Sequence, residues 1–183
     1  MGFDLYGVKP ELVGERPEIN WDVADSEEKD KYHESLSKFE NDNPGYYFRN
    51  NVWWWRPLWS FICTEVAPDI LTEEDKERGY YNDSYCINAI KSNYIADKIE
   101  KFDATGELDA FEKKYKASQE ALPKQTCEQC KGSGIRNDAY VQGKCNVCEE
   151  GLRDHWGKSY PFYADNVREF AKFARSSGGF EIC

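Results

Sequence analysis

The sequence predicts an α+β fold, mainly helical, in a single domain with a few short strands and one inserted cysteine-rich module. Three observations lead to this prediction. Apolar residues recur at helical spacing along most of the chain, short alternating segments lie near both ends, and two CxxC pairs stand together between residues 124 and 158. With 183 residues, of which 40% are hydrophobic, the chain can bury one core and is too short for two enzyme-sized domains.

The first fifty residues predict two short strands and one peripheral helix. Residues 3–7 alternate apolar with other side chains and end at a glycine, which is typical of a strand. Residues 8–43 are expected to lie at the periphery of the fold. They contain an irregular stretch and a helix that starts at Asp25 or Ser26 with only a thin apolar stripe. An Asn-Pro-Gly turn then leads into a second strand over 46–48.

Five further helices and a last strand are predicted in the rest of the chain. Pro57 suits the first turn of a helix that ends near Val66, because its missing N–H costs nothing there. Ser84 is the predicted cap of the longest helix, whose apolar residues recur at spacings of three and four. The other predicted elements are a short helix over 72–79, a helix between Gly106 and Pro123, a helix closed by Gly178-Gly179, and a strand over 180–183 that pairs with the first strand.

Acidic residues in the N-terminal part set the charge of the chain. The formal net charge is −10, with 21 acidic and 11 basic residues in 1–100 and 13 of each in 101–183. This charge disfavours a nonspecific nucleic-acid coat protein, since it repels phosphates at long range. Solubility is the simpler interpretation of the acidic surface, and a face that binds basic surfaces of other proteins is the alternative.

The start MGFDLYG lacks the regions of a secretory signal and no apolar run spans a bilayer, so we expect a cytoplasmic protein without membrane contact.

Four of the seven cysteines form two CxxC pairs, Cys127 with Cys130 and Cys145 with Cys148, separated by fourteen residues. Two residues between cysteines let a tight turn aim both thiolates at one ion, and two such turns complete a tetrahedron of sulfur about 2.3 Å from zinc. Soft thiolates favour zinc over magnesium or calcium, and four of them leave no position for a catalytic water. The pattern predicts one structural zinc ion in a knuckle module over 124–158, with iron–sulfur ligation and a redox-active pair as alternatives. Trp156, Tyr160 and Phe162 are expected to dock this module on the core.

These motifs resemble two known groups of proteins. Cys127-Glu-Gln-Cys-Lys-Gly-Ser-Gly134 resembles the CxxCxGxG repeat of DnaJ-type chaperone zinc domains, and 145–151 resembles a degenerate second copy. This resemblance implies the zinc knuckle but no co-chaperone activity, because the chain has no His-Pro-Asp tripeptide. The start MGFDLYG, the block 47–59 and the ending 160–182 together resemble small uncharacterised proteins encoded by bacteriophages. The second resemblance implies a viral setting in the host cytoplasm and no established activity. Residues 8–43 lie outside the matching blocks and are therefore interpreted as a peripheral insertion.

Four of the six tryptophans lie within 53–59, next to Arg49 and Arg56. Aromatic faces beside guanidinium groups can stack bases or hold a nucleotide. On a helix, Trp55, Trp59, Ile62 and Val66 form one stripe that packs in the core, which leaves Trp53 or Trp54 exposed. The candidate residues for ligand or partner binding are therefore Arg49, Trp53, Trp54 and Arg56, and core packing of the whole block is the competing interpretation.

The remaining reactive side chains predict no catalytic centre. Cys63, Cys86 and Cys183 are expected to be small buried residues, since a nucleophile would need a histidine partner that the sequence does not reveal. His155 is interpreted as a surface or packing residue, with a place at the metal site as the alternative. No Walker loop, GxGxxG, HExxH or GxSxG motif occurs. An enzyme is therefore not predicted, although a small enzyme stays open as a hypothesis.

Together these features predict a zinc-binding viral protein that acts by binding a host protein, with inhibition of a host-defence system as one candidate role. Acidic residues in 1–100 would meet a basic surface of that partner. The first alternative is a nucleic-acid-binding zinc protein, but 124–158 holds six basic against five acidic residues rather than a basic stripe. The second alternative is a nucleotide or small-molecule binding protein that uses the tryptophan and arginine block.

Overall fold

The computed structural model describes residues 2–183, which form a four-stranded antiparallel sheet, helices packed on it, and two small ribbons. The strands are β1 Gly2–Gly7, β2 Tyr47–Asn51, β3 Tyr85–Asn88, β4 Gln125–Thr126, β5 Ile135–Asn137, β6 Gln142–Lys144, β7 Leu152–Arg153 and β8 Gly179–Ile182. The large sheet has the order β2-β1-β8-β3. The predicted pairing of the last strand with the first is confirmed, and it places β1 and β8 in the middle of the sheet.

Six α-helices lie within the described residues, so the mixed α+β class is confirmed. They are α1 Ser26–Asp42, α2 Val52–Phe61, α3 Glu73–Arg78, α4 Ala89–Ala104, α5 Glu107–Glu120 and α6 Ala164–Ser176. Helix α2 continues into a π-helical turn over Ile62–Val66, and a 3₁₀ turn over Trp156–Ser159 precedes α6. None of the helices within 2–183 combines the length and the apolar composition that crossing a bilayer requires.

The core lies between one face of the sheet and the apolar faces of α2, α4 and α6. Alternate residues of the central strands point into it, among them Leu5 on β1 and Phe180 on β8. Tyr6, between the inward residues of β1, is exposed on the opposite face. The helices therefore cover one side of the sheet, and the other side carries polar and charged residues.

Two stacked tryptophans from α2 occupy the centre of this core. The rings of Trp55 and Trp59 lie 5.5 Å apart, and their indole N–H groups donate to the carbonyls of Gly79 at 2.7 Å and Lys76 at 3.0 Å. These hydrogen bonds satisfy the only polar atoms of the two buried rings. The predicted stripe is confirmed, since all four of its members are buried: Trp55, Trp59, Ile62 and Val66.

Gly79 packs so closely against these rings that it has no room for a side chain. A Cβ there would lie 2.0 Å from the Trp59 ring, while its φ of −65° suits any residue. We expect Gly79→Ala to lower the free energy of unfolding by about 1–3 kcal/mol, because it overpacks the core. Chemical denaturation measures this loss. Gly2→Ala is the control, since its Cβ would meet nothing nearer than 3.4 Å, and equal losses in both variants would contradict the steric explanation.

The predicted start of α2 is wrong by five residues. The helix begins at Val52 rather than Pro57, because the side chain of Asn51 accepts the N–H groups of Trp53 at 2.9 Å and Trp54 at 3.0 Å. Such a cap satisfies N–H groups that have no partner inside the helix. Pro57 consequently lies inside the helix, where it is buried.

The predicted start of α4 is also wrong. Asn88 caps the helix through a 3.0 Å hydrogen bond from Lys91 N–H, so the helix begins at Ala89. Ser84 has a φ of 65°, which is incompatible with a cap in extended conformation. The residues between them form β3 instead, and Ile87 belongs to the sheet rather than to the helical stripe.

Residues 8–43 make few buried contacts. In α1 only Phe39 is buried, and the predicted start at Asp25 is confirmed by a reciprocal capping box with Glu28. Within the segment, Asn43 ties the irregular stretch to the end of α1, because its buried amide accepts the Val13 N–H at 2.6 Å and donates to the Phe39 carbonyl at 2.8 Å. That the segment is an insertion stays a prediction.

A buried ion pair joins α3 to α4. The Asp75 carboxylate is 2% exposed and accepts hydrogen bonds from the Lys91 ammonium, the Thr72 hydroxyl at 2.7 Å and the Tyr85 hydroxyl at 3.0 Å. Burial by itself would raise the pKa of Asp75, but these hydrogen bonds outweigh it and leave that pKa below its usual value. Asp75 is therefore charged at neutral pH, and it holds together three elements of the fold.

The three cysteines outside the CxxC pairs have different environments. Cys63 is buried as predicted, and burial raises the pKa of its thiol to about 12, which keeps it protonated at neutral pH. The prediction that Cys86 is buried is wrong. Cys86 is exposed because its neighbours in β3, Tyr85 and Ile87, take the core side of the sheet. Cys183 is half-buried.

Candidate metal centre

The four cysteines of the CxxC pairs meet at one point. Their Sγ atoms all lie within 4.8 Å of one another, with Cys127 4.0 Å from Cys145 and Cys130 3.5 Å from Cys148. A tetrahedron with sulfur 2.3 Å from its centre has edges of about 3.8 Å. The spacing therefore suits a metal ion, whereas a disulfide would need about 2.0 Å. Within residues 2–183 this is the one cluster of histidine, cysteine or carboxylate side chains arranged to hold a metal.

Four very short strands position these cysteines, since one strand precedes and another follows each CxxC pair. Strand β4 pairs with β7, and β5 pairs with β6. The two pairs are also tied to each other, because Cys127 N–H donates to the Gly151 carbonyl and Cys145 N–H to the Gly134 carbonyl, both at 2.8 Å. Each CxxC turn is thus held by the glycine that follows the other turn.

Two glycines permit the close approach of the turns. Gly132 and Gly151 have φ values of 83° and 87°, which are unfavourable for other residues. A Cβ on Gly151 would in addition lie 2.0 Å from the Gly132 carbonyl oxygen. A glycine with left-handed backbone conformation therefore follows each cysteine pair.

The backbone also prepares one sulfur to ionise. Burial raises the pKa of the Cys130 thiol, but the Gly134 N–H at 3.3 Å and the neighbouring thiols outweigh burial and lower that pKa to about 6. At Cys148, burial and the neighbouring thiols act together and raise the pKa to about 12. Because metal ligands must be thiolates, a bound cation is needed for all four sulfurs to be ionised together at neutral pH.

The sulfur atoms are also the core of the module. The buried cluster there consists of Cys127, Cys130 and Cys145, with Cys148 packed against it. His155 lies outside this cluster. Its Nδ1 accepts the Gly157 N–H at 3.0 Å, so the alternative in which His155 ligates a metal has no support in the geometry.

The segment after β7 docks the module on the core through two of the three predicted residues. Phe162 is buried, with its ring 5.2 Å from Phe61 and 4.8 Å from Phe111. Tyr160 is anchored by its carbonyl, which accepts the Tyr115 hydroxyl at 2.9 Å. The prediction for Trp156 is wrong, because this side chain remains 64% exposed.

Trp53 and Trp54 both reach solvent, as predicted for at least one of them. They are 46% and 41% exposed. Their rings lie against the docking segment, with Trp53 4.9 Å from Tyr160 and Trp54 5.1 Å from Tyr163. Trp156 extends the same surface, 5.8 Å from Tyr160. We call these five residues the aromatic face: Trp53, Trp54, Trp156, Tyr160 and Tyr163.

The two candidate arginines lie in different places. Arg56 adjoins the aromatic face, since its Nη1 is 3.2 Å from the Tyr160 hydroxyl. Arg49 instead pairs with Asp4 at 3.4 Å across strands β1 and β2.

Sequence reasoning missed Tyr160 and Tyr163 as surface partners of the tryptophans. The Tyr-Pro-Phe-Tyr run marks an aromatic segment, but no local signal shows that it meets a helix 104 residues away.

No protein-family model, curated protein or solved structure matches the chain. The resemblances to the DnaJ repeat and to bacteriophage proteins therefore stay predictions from the motifs.

Proposed function

We propose that the protein is a zinc-stabilised interaction protein that binds another protein through the aromatic face. The observation that supports this most is the aromatic face itself: Trp53 and Trp156 both contact Tyr160, and Trp54 contacts Tyr163. Four of the five residues are more than 40% exposed, and Arg56 lies beside them. Tryptophan, tyrosine and arginine dominate binding energy at protein interfaces. Large exposed aromatic side chains that pack on one another are more typical of an interaction site than of a surface that only meets water.

We propose zinc as the ion of the four-cysteine cluster. Four soft sulfur donors in a closed tetrahedral arrangement favour zinc and leave no open position for substrate. Its role is structural. Trp156, Tyr160 and Tyr163 follow β7 directly, so the folded module fixes one half of the aromatic face against α2. The metal thereby supports binding without contacting the partner.

The acidic charge of residues 1–100 supports a basic partner surface. Electrostatic attraction of this kind raises the association rate, while the buried aromatic contacts set the dissociation rate. The bacteriophage resemblance extends the proposal to a viral protein that acts on a host protein in the cytoplasm, with a host-defence system among the candidate targets. The absence of any recognised catalytic motif agrees with a binding role.

Removing both exposed tryptophans of α2 is expected to abolish capture of the partner. We expect the double variant Trp53→Ala and Trp54→Ala to weaken binding by at least about 2 kcal/mol, roughly thirtyfold, because hot-spot aromatics contribute that much. The measurement is comparative affinity capture from a host lysate without nuclease treatment, followed by mass spectrometry. A partner that is retained by the wild type and lost by the variant supports the proposal.

The matched control is Trp21→Ala, which removes a tryptophan that is 52% exposed on the irregular segment before α1. It should leave capture unchanged. A partner retained equally by all three proteins would contradict a role for the aromatic face. If moderate salt abolished the complex in equilibrium binding, electrostatics rather than aromatic contacts would carry the affinity.

A further inference from the structure

A groove lies beside the aromatic face, between α2, α5 and the 3₁₀ turn at the end of the module. Its volume is about 350 Å³, within the range of small-molecule sites. Seven residues supply its polar and aromatic lining: Arg56, Ser60, Tyr80, Tyr115, Gln119, Trp156 and Tyr160. The groove thus combines one cation with aromatic walls and several hydrogen-bonding groups.

The cation in this groove has no carboxylate partner among residues 2–183. Of the eight arginines, six form ion pairs, and the exceptions are Arg56 and Arg16. The contact of Arg56 with the Tyr160 hydroxyl at 3.2 Å uses one of five N–H donors. In a chain with a net charge of −10, an unpaired guanidinium favours a bound anion, and its planar fork matches a phosphate.

The aromatic wall offers a flat surface for stacking. His155 stacks on Trp156 with 5.6 Å between ring centroids, and Tyr160 meets Trp156 edge-on at 89°. Trp156 is nevertheless 64% exposed, so much of its ring is left for a planar ligand. Arg56 and Trp156 lie 6.0 Å and 5.8 Å from the Tyr160 ring centre, which puts them less than 12 Å apart. One nucleotide bridges a separation of this size between its base and its phosphate.

Polar groups around the groove favour a ligand with hydrogen-bond donors and acceptors. The side-chain amide oxygen of Gln119 is buried and has no hydrogen-bond donor within 2–183. Ser60 and Tyr80 place two further hydroxyl groups on the lining. An entirely apolar ligand would leave the Gln119 oxygen unpaired, whereas the hydroxyl of a sugar or an N–H group of a base edge can donate to it.

We infer that this groove binds a nucleoside monophosphate, with the base stacked on Trp156 and the phosphate on Arg56. A single nucleotide is favoured over a nucleic-acid strand, because the acidic chain offers one unpaired arginine here and would repel further phosphates. The inference does not depend on the proposed protein partner. Trp156 belongs to both surfaces, but the two proposals are tested at different residues: nucleotide binding at Arg56 and Trp156, and partner capture at Trp53 and Trp54.

Calorimetric titration of the metal-loaded full chain with AMP and GMP tests the site. We expect saturable binding at one site, weakened about tenfold or more by Arg56→Gln, which removes the charge-assisted hydrogen bonds to phosphate. Arg49→Gln is the matched control, since Arg49 lies on β2 and pairs with Asp4. It should change the affinity by less than about twofold. Trp156→Leu is the second test variant. It removes the stacking surface but keeps the Arg56 charge, and it should also weaken nucleotide binding.

Four results would overturn the inference. They are the absence of saturable binding at millimolar nucleotide, equal affinity for the nucleosides without phosphate, equal effects of Arg56→Gln and Arg49→Gln, and tighter binding of a 5′-phosphorylated oligonucleotide than of AMP. The last result would indicate a nucleic-acid end instead. Thermal denaturation of each variant checks that it is folded, which the exposure of both Arg56 and Trp156 leads us to expect.

Discussion

Removal of the metal is expected to unfold residues 124–158 while the sheet and its helices stay folded. The module has strands of two or three residues and no buried cluster other than its cysteines, so burial of apolar surface cannot hold it together. Structural zinc contributes about 10–16 kcal/mol to the folding of zinc-finger peptides, which is comparable to the whole stability of a domain. The main core has its own buried residues and does not contain the four cysteines.

Limited proteolysis with mapping of the cut sites measures this effect. Chelation, or the substitution Cys145→Ser, should open new cleavage sites within 124–158 and reduce the metal content seen by native mass spectrometry. Cys86→Ser is the matched control, because Cys86 is exposed and lies outside the cluster, and it should change neither observable. If a chelator extracted the metal without any change in proteolysis or circular dichroism, the structural role would be wrong.

Metal removal also bears on the proposed partner surface. Trp156 lies at the end of the module, Tyr160 follows shortly after it, and Tyr160 contacts Trp53. Once the module unfolds, this half of the aromatic face loses its fixed position and capture of the partner should fall. A complex that survives chelation unchanged would show that α2 alone carries the binding energy.

Neutralising Asp75 is the second large expected effect. Asp75→Asn leaves the Lys91 ammonium without its carboxylate in a site where the lysine side chain is only 19% exposed. Breaking a buried ion pair from one side costs about 3–5 kcal/mol, and the partial exposure of Lys91 leads us to expect about 3 kcal/mol here. Chemical denaturation at neutral pH measures the loss. Glu73→Gln, which breaks the exposed pair with Lys76, is the control and should cost less than about 1 kcal/mol.

The pH dependence of stability gives an independent check on Asp75. Its pKa in the folded protein lies below the ordinary value of 3.8. The charged form is therefore favoured by folding, so its contribution is fully present above that ordinary value and is lost as the pH falls through the folded pKa. We expect the wild type to lose more stability than Asp75→Asn as the pH falls below about 4. Parallel curves for the two proteins would contradict the assignment of the pKa shift to this pair.

Elements and residues whose physics is local could be predicted from the sequence. Helical spacing and capping residues predicted α1, α3, α5 and α6, alternation predicted β1 and β8, and the Asn-Pro-Gly turn predicted β2. The spacing of the CxxC pairs predicted four clustered sulfurs, because two turns of fixed geometry can meet at one ion in few ways. Where prediction erred at α2 and α4, a competing local cap was present in the sequence, at Asn51 and at Asn88, and was overlooked.

Which distant residues meet follows from the packing of the whole chain. Arg56 and Tyr160 are 104 residues apart, and neither the aromatic face nor the groove exists until the docking segment packs on α2 and α5. The buried pair of Asp75 and Lys91 and the separation of Arg49 from Arg56 likewise depend on how the helices pack and on the order of strands in the sheet. The periodicity of apolar residues indicates which face of a helix or strand is apolar. Many arrangements of the elements bury the same faces, and the fit of the side chains in the assembled core selects one of these arrangements.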